Sequence, residues 1–216
     1  MSYQEETWRI FRIMAEFVEG FETLSKIGPC VTVFGSARTP CNDKYYKTAV
    51  DMAKIAVQNN YGVITGGGPG IMEAANKGAS EAGGISIGLN IQLPYEQEPN
   101  PFIKTLLNFK YFFCRKVMFL KYTSAVIVFP GGYGTLDEMF ETLTLIQTQK
   151  ISHLPLILMG KDYWNGCVEW LKEALLGREY IEKTDLRLFN IVNNPVEAIQ
   201  IVNTFYKRRE ENVNFI

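Results

Sequence analysis

The sequence predicts an α/β fold, a doubly wound, Rossmann-like and mostly parallel sheet with helices on both faces and an added amino-terminal amphipathic helix. Short, continuously apolar segments alternate with helical segments of about a dozen residues, which is typical of a parallel sheet covered on both faces. Glycine clusters follow several apolar segments, where ligands bind in such sheets. The 216 residues predict a single nucleotide-binding domain over 28–216, preceded by the added helix over 1–27.

The added helix is predicted because apolar side chains recur at three- and four-residue steps between charged ones. These apolar residues are Trp8, Phe11, Met14, Phe17, Val18, Phe21 and Leu24. The stripe either packs on the chain's own domain or forms a subunit interface, and the pattern allows both.

From residue 31 onward, strand and helix patterns alternate. Strands are predicted at 31–34, 62–65, 85–88, 125–129, 155–159 and 188–192. Helices are predicted at 43–59, 69–82, 111–122, 135–149, 163–176 and 195–209. The segment 92–101 contains three prolines and is predicted to be a loop that contacts a ligand, with Glu96 as a candidate contact.

The composition excludes several classes of function. Lysines and arginines (22) nearly balance aspartates and glutamates (23), so no global charge favours a nucleic acid polymer or a membrane surface. The four cysteines lack metal-ligand spacing, and no apolar run is long enough to cross a bilayer. A cytoplasmic protein without a bound metal or cofactor is expected. His153, the single histidine, excludes histidine-cluster metal sites and is interpreted as a turn residue.

The first glycine turn, at 34–38, follows the first predicted strand. Gly35 would allow a ligand to approach the backbone, and the Ser36 hydroxyl would bind a phosphate or a sugar. An ordinary strand-to-helix turn has a similar pattern, so this motif alone does not identify a site.

The second glycine turn, at 65–70, places three consecutive glycines before a helix. Gly67 and Gly68 are candidate phosphate contacts, and Pro69 fits the first helical position. The dinucleotide fingerprint fails because Ile71 occupies its third glycine position, and no Gly-Lys-Ser/Thr sequence is present. The motif therefore indicates neither a nicotinamide site nor a Walker-type ATP site.

The third glycine turn, at 130–138, is the most specific motif in the chain. It follows a buried strand and opens a helix, so its N–H groups and the helix dipole favour a phosphate. The candidate phosphate contacts are Gly131, Gly132, Gly134 and Thr135. Glu138 lies one turn into the helix, within reach of the group attached to that phosphate. A carboxylate favoured by the helix dipole would occupy the same position.

Two cations, Arg115 and Lys116, follow three aromatic residues at 111–113. A guanidinium in such an apolar segment either pairs with a buried carboxylate or faces a phosphorylated ligand. Lys116 either binds the substrate or is solvated.

These motifs resemble the LONELY GUY (LOG) family, which includes bacterial members labelled "possible lysine decarboxylase". The resemblance covers roughly residues 28–205 and is carried by 66–72, the Arg115–Lys116 pair with Met118, and 130–138. It implies a doubly wound α/β fold, a homodimer as the smallest unit of a homo-oligomer that can be larger, and phosphoribohydrolase activity on nucleoside 5′-monophosphates, including cytokinin riboside monophosphates and AMP. It also implies that Arg115 and Glu138 are the catalytic pair. The amino-terminal helix and the 92–101 loop depart from short plant members and resemble a longer bacterial subgroup.

The predicted reaction is hydrolysis of an N-glycosidic bond, in which Glu138 stabilises positive charge at C1′ or activates water. Arg115 would hold the leaving base or the phosphate side of the ribose. Further predicted substrate contacts are Lys116, Tyr133, Asp137, Glu96 and Thr144. The alternatives are a non-catalytic carrier of a nucleotide or of the molybdenum cofactor, and a nucleotide-sensing subunit that docks through its amino-terminal helix. The sequence does not rank the bases.

Overall fold

The computed structural model describes residues 3–93 and 98–207, with side chains from residue 8 onward. Its strands are β1 (Cys30–Phe34), β2 (Gly62–Thr65), β3 (Ser86–Ile91), β4 (Thr105–Phe109), β5 (Ala125–Val128), β6 (Leu156–Met159) and β7 (Phe189–Val192). Its α-helices are α1 (Tyr3–Leu24), α2 (Lys44–Gln58), α3 (Ile71–Glu81), α4 (Phe112–Lys121), α5 (Tyr133–Gln147), α6 (Lys161–Trp170) and α7 (Pro195–Lys207).

All seven strands form one parallel sheet in the order β4-β3-β2-β1-β5-β6-β7. The strand order reverses between β1 and β5, which are hydrogen-bonded neighbours. Ligands of open α/β sheets bind at such a reversal, beyond the carboxyl ends of the strands. The predicted doubly wound fold is confirmed, and its switch point lies between the first and third glycine turns.

Two hydrophobic clusters cover the two faces of the sheet, because successive strand side chains alternate between them. Val31 and Val33 of β1 pack in one cluster with α2, α3 and α7. Phe34 packs in the other with Met118 of α4 and Met139 of α5. The second cluster therefore fixes the two helices that carry Arg115 and Glu138.

Helix α1 packs on α4 through one face and leaves the other face exposed. Gly20 lies against Met118, and a Cβ at position 20 would come within 2.7 Å of Met118 Cε. Glu16 accepts hydrogen bonds from the backbone N–H groups of Lys110 (2.9 Å) and Tyr111 (3.3 Å), at the start of α4. The helix thus packs on its own domain, as one of the two sequence interpretations expected.

Several predicted boundaries need correction. Strand β4 was not predicted: it is an edge strand with partly exposed side chains, so its apolar signal is weak. Pro69 does not open α3, because Gly70, with φ +67°, is the N-cap and the helix begins at Ile71. Helix α6 begins at Lys161 and continues into a π-helical segment, Leu171–Leu175. Among the described residues, no helix is long and apolar enough to cross a membrane.

Candidate active site

A cavity of about 560 Å³ opens at the carboxyl ends of β1, β2 and β5. This volume lies within the range of small-molecule sites. Residues of all three glycine turns, of α3 and of α4 line it: Phe34, Gly35, Ser36, Ala37, Arg38, Gly66, Met72, Arg115, Phe119, Gly132, Tyr133, Gly134, Thr135 and Glu138. The structure therefore brings Arg115 and Glu138 together with most of the predicted phosphate contacts.

Ser36 connects the three turns through its backbone. Its N–H donates to the carbonyl of Pro130 in the third turn (3.0 Å), and its carbonyl accepts from the N–H of Ile71 after the second (3.0 Å). Its hydroxyl oxygen accepts from the N–H of Arg38 (3.0 Å). The hydroxyl proton stays available to a ligand, because that hydrogen bond uses an oxygen lone pair.

The amino terminus of α5 faces the cavity. Gly132 is its N-cap, and the first-turn N–H groups of a helix lack intrahelical carbonyl partners four residues back. Gly131 lies just outside the cavity lining and packs behind Thr135, since a Cβ at position 131 would overlap Thr135 Oγ1. With the helix dipole, this terminus can bind an anion such as a phosphate.

Glu138 is buried on α5, with 6% of its surface exposed. Burial raises the pKa of its carboxyl group from 4.5 to about 7, although the nearby Lys116 and Arg115 cations oppose the shift. A carboxylate of this kind can act as a base or stabilise a cation near neutral pH.

Arg115 reaches the same cavity from α4. Its guanidinium carbon lies 5.1 Å from the ring centroid of Phe112 and 5.5 Å from that of Phe119. Its buried Nε has no hydrogen-bond partner among the described residues. Burial lowers the pKa of Arg115, which Glu138 and Asp137 oppose, and an arginine stays cationic at neutral pH. Because Arg115 lines the cavity, its guanidinium can bind an acceptor group of a ligand.

Lys116 lies behind Glu138, outside the cavity lining. Its ammonium nitrogen lies 2.8 Å from Asp137, 3.0 Å from Glu141 and 3.9 Å from Glu138. Burial opposes its charge, but the hydrogen bonds to Asp137 and Glu141 and the nearby carboxylates raise its pKa overall. Lys116 and Asp137, both predicted substrate contacts, thus contact each other, and neither lines the cavity.

Other predicted contacts lie elsewhere. Gly67 and Gly68 do not line the cavity, and their carbonyls accept hydrogen bonds from Asn100 (3.1 Å each). Thr144 was predicted to reach the ligand because it shares a helical face with Asp137. The structure places Thr144 outside the lining of the 560 Å³ cavity, in a separate cavity of about 140 Å³. Glu96 lies outside the described residues.

Sequence reasoning did not name several residues of the cavity as contacts, among them Arg38, Met72 and Phe119. Arg38 is exposed at its edge, and Met72 and Phe119 supply apolar surface. Arg38 had a usable signal, since it lies two residues after Ser36 in the first turn. Phe119 lies one helical turn after Arg115, on the same face of α4.

Residues 72–202 match the model of a protein family described as "Possible lysine decarboxylase". The match covers more than half of the chain and includes Arg115 and Glu138. The chain belongs to this family. It is the LOG family that the sequence motifs resemble.

Two plant relatives illustrate the similarity of this LOG-family chain to curated proteins. A probable cytokinin riboside 5′-monophosphate phosphoribohydrolase of Arabidopsis thaliana is 28% identical over 148 residues, which are 67% of this chain and 73% of the relative. A protein of Oryza sativa subsp. japonica with the same name is 25% identical over 187 residues, 84% of this chain and 73% of the relative. These relatives support a nucleotide hydrolase function at the family level.

Solved structures of other proteins share the fold of this LOG-family chain. A molybdenum cofactor binding protein from Rippkaea orientalis aligns with a TM-score of 0.61 at 23% identity, over 83% of this chain and 98% of that chain. The molybdenum cofactor carrier protein of Chlamydomonas reinhardtii aligns with a TM-score of 0.61 at 20% identity, over 84% and 99%. At this identity the likeness extends to the fold alone.

Proposed function

We propose that this protein hydrolyses the N-glycosidic bond of nucleoside 5′-monophosphates and releases the free base and ribose 5-phosphate. The observation that carries the proposal is one cavity that is lined by Glu138, by Arg115 and by the amino terminus of α5. The proposed mechanism uses these as a binding site for the 5′-phosphate, a carboxylate at C1′ and a cation at the leaving base.

The amino terminus of α5 binds the 5′-phosphate in this proposal. Gly132, Gly134 and Thr135 form the phosphate-binding turn, and the Ser36 hydroxyl donates to a phosphate oxygen. Arg38, exposed at the edge of the cavity, supplies an additional positive charge.

Glu138 acts at the anomeric carbon. Cleavage of the C1′–N bond leaves an oxocarbenium-like ribose, which a carboxylate stabilises. Glu138 then accepts a proton from the water that attacks C1′, and this proton is transferred to the nitrogen of the departing base. Arg115 binds the leaving base, and its charge favours the negative charge that develops there.

The decarboxylase description of the family receives no support from the cavity. Amino acid decarboxylation with pyridoxal phosphate needs a lysine that forms a Schiff base with the cofactor. None of the described residues that line the cavity is a lysine, and Lys116 lies behind it among three carboxylates.

The test is incubation of the purified protein with AMP, GMP, CMP, UMP and isopentenyladenosine monophosphate, followed by chromatography of free base and ribose 5-phosphate. Glu138→Gln is expected to retain nucleotide binding and to lose turnover by on the order of 10²-fold. Glu141→Gln removes a carboxylate outside the cavity and is expected to retain most activity at about pH 8. Nucleotide binding without release of base would instead support a carrier or a sensor.

We also propose that the protein is a homodimer, as the family resemblance implies. The exposed face of α1 supports this proposal, because it presents Trp8, Phe11, Met14 and Val18, each more than half exposed. Light scattering after size exclusion is expected to give about twice the mass of the chain, and Phe11→Glu is expected to reduce it. Arg12→Glu, at a neighbouring exposed position, serves as the control. A single-chain mass for the wild type would refute the dimer.

A further inference from the structure

A buried polar cluster lies beneath the second glycine turn. Asn76 accepts a hydrogen bond from the Thr65 hydroxyl (2.6 Å) and donates to the Ser86 hydroxyl (2.9 Å), which donates in turn to the carbonyl of Phe102 (2.9 Å). The Thr65 hydroxyl oxygen accepts from the N–H of Gly67 (3.0 Å). The cluster thus connects two neighbouring strands with the turn.

Asn100 attaches this cluster to the glycine turn. Its amide nitrogen lies 3.1 Å from the carbonyl oxygens of Gly67 and Gly68 and 2.9 Å from Asn76 Oδ1. Its backbone N–H donates to the Gly67 carbonyl (2.9 Å), and its Oδ1 accepts from the N–H of Phe102 (3.2 Å). These partners fix the orientation of the amide, because the reversed group would place its oxygen against three acceptors.

The turn that Asn100 holds reaches the cavity through Gly66, which lines it beside Arg115. Gly67 has φ +77°, a conformation that glycine adopts readily, so the turn depends on external hydrogen bonds to stay fixed. A Cβ at the neighbouring Gly66 would lie 3.7 Å from Arg115 Nη1 and 2.9 Å from Met72 Sδ. The guanidinium therefore rests close to the backbone of this turn.

Arg115 depends on such packing for its position. Its Nε has no hydrogen-bond partner among the described residues, and its guanidinium lies near the rings of Phe112 and Phe119. Neither ring fixes the direction of the N–H groups as a carboxylate partner would. Movement of the adjacent turn would therefore let the guanidinium move.

We propose that Asn100 is a positioning residue for the reaction, acting through the glycine turn to hold Arg115 in its reactive orientation. This inference rests on the proposed hydrolase function. It also assigns a role to the end of the 92–101 loop that does not require Asn100 to touch the substrate. The phosphate seat belongs to the first and third turns, so loss of Asn100 should affect turnover more than binding.

The test compares Asn100→Asp with Ser86→Ala, each as a single substitution in the 216-residue chain. Asn100→Asp keeps the size of the side chain but replaces its donor with an oxygen that faces three acceptors. Ser86→Ala weakens the same cluster on the strand side and leaves the hydrogen bonds from Asn100 to the turn in place. Steady-state kinetics with the best nucleotide substrate are measured well below the Tm of each variant, together with the Kd for the same nucleotide in a Glu138→Gln background.

Asn100→Asp is expected to lower kcat by about tenfold to a hundredfold while KM and Kd change by less than about threefold. Ser86→Ala is expected to lower Tm and to keep the wild-type kcat. Wild-type kcat in Asn100→Asp, or equal losses of kcat in both variants, would overturn the positioning role. If Asn100→Asp does not fold, Asn100→Ser keeps one donor and is expected to show a smaller loss of kcat, with wild-type kcat again refuting the role.

The same measurements separate this inference from the proposed function. A wild-type protein that releases no base from any nucleotide refutes the hydrolase itself. A wild-type protein that hydrolyses nucleotides, with Asn100→Asp equally active, refutes the role of Asn100 alone.

Discussion

The ammonium nitrogen of Lys116 lies 3.9 Å from a carboxylate oxygen of Glu138, too far for a hydrogen bond but close enough for strong electrostatic interaction. The lysine instead lies within hydrogen-bond distance of Asp137 and Glu141. Glu138 is therefore a buried carboxyl near a positive charge that other residues hold in place. This arrangement leaves its oxygens available to a substrate and makes its protonation sensitive to the surroundings.

The pH dependence of activity should report the protonation of Glu138. Burial raises its pKa to about 7, and the proposed reaction needs the carboxylate form. We therefore expect kcat/KM to fall about tenfold per pH unit below about pH 7 and to level off above it, because this ratio reports groups of the free enzyme. Rates from about pH 5 to 9 check this. A rate that is highest in acid and declines through neutrality would assign Glu138 as an acid instead.

Stability should depend on pH through the same residue, with a definite sign. The pKa of Glu138 in the folded protein, about 7, exceeds the ordinary 4.5, so the folded state binds more protons between these values. The residue's contribution to the free energy of unfolding therefore decreases as pH rises from about 4.5 to 7, by on the order of 3 kcal/mol.

Urea denaturation of the wild type and Glu138→Gln measures this contribution. The free energy of unfolding of Glu138→Gln minus that of the wild type is expected to be larger at about pH 8 than at about pH 4. Glu197→Gln, at an exposed position on α7, controls for the loss of a carboxylate. A difference in the free energy of unfolding that does not change with pH would show that the raised pKa of Glu138 is not its cause.

Lys116 should tune Glu138 rather than bind substrate. Removing its charge in Lys116→Met leaves the Glu138 carboxylate less stabilised, so the pKa rises and the pH–rate profile moves to higher pH. Glu141→Gln should move it to lower pH, because the Glu141 charge raises the pKa of Glu138. Profiles of both variants beside the wild type check the two directions. If Lys116→Met raises the KM for nucleotide without moving the profile, Lys116 is a substrate contact after all.

The third glycine turn could be predicted from the sequence, because the signals that define it are local. A buried strand, glycines and a helix start are contiguous at 125–138, so the turn and the position of Glu138 follow from local chemistry. Placing Arg115 in the same cavity needed the family resemblance, because it lies on a different helix.

What the sequence did not predict depends on contacts between distant segments. Thr144 and Asp137 do share a helical face, but the helical period does not specify which face of α5 meets the cavity. Asn100 is bonded to Gly67 and Gly68, more than 30 residues away, and no local pattern indicates that contact. The edge strand β4 is partly exposed, so its apolar pattern is weak. Its strand structure depends instead on hydrogen bonding to β3, which the local sequence does not indicate.

The amino-terminal helix should contribute to stability through Glu16. Its carboxylate accepts hydrogen bonds from two backbone N–H groups at the start of α4. The side chain of the N-cap residue, Tyr111, forms no capping hydrogen bond there. Its negative charge also lies at the positive end of the helix that carries Arg115. We expect Glu16→Ala to lower the free energy of unfolding by about 1 kcal/mol, as the loss of a helix cap does. Urea denaturation measures the change, and Glu19→Ala, at an exposed position on α1, is the control. Equal stability of the two variants would show that Glu16 does not stabilise α4.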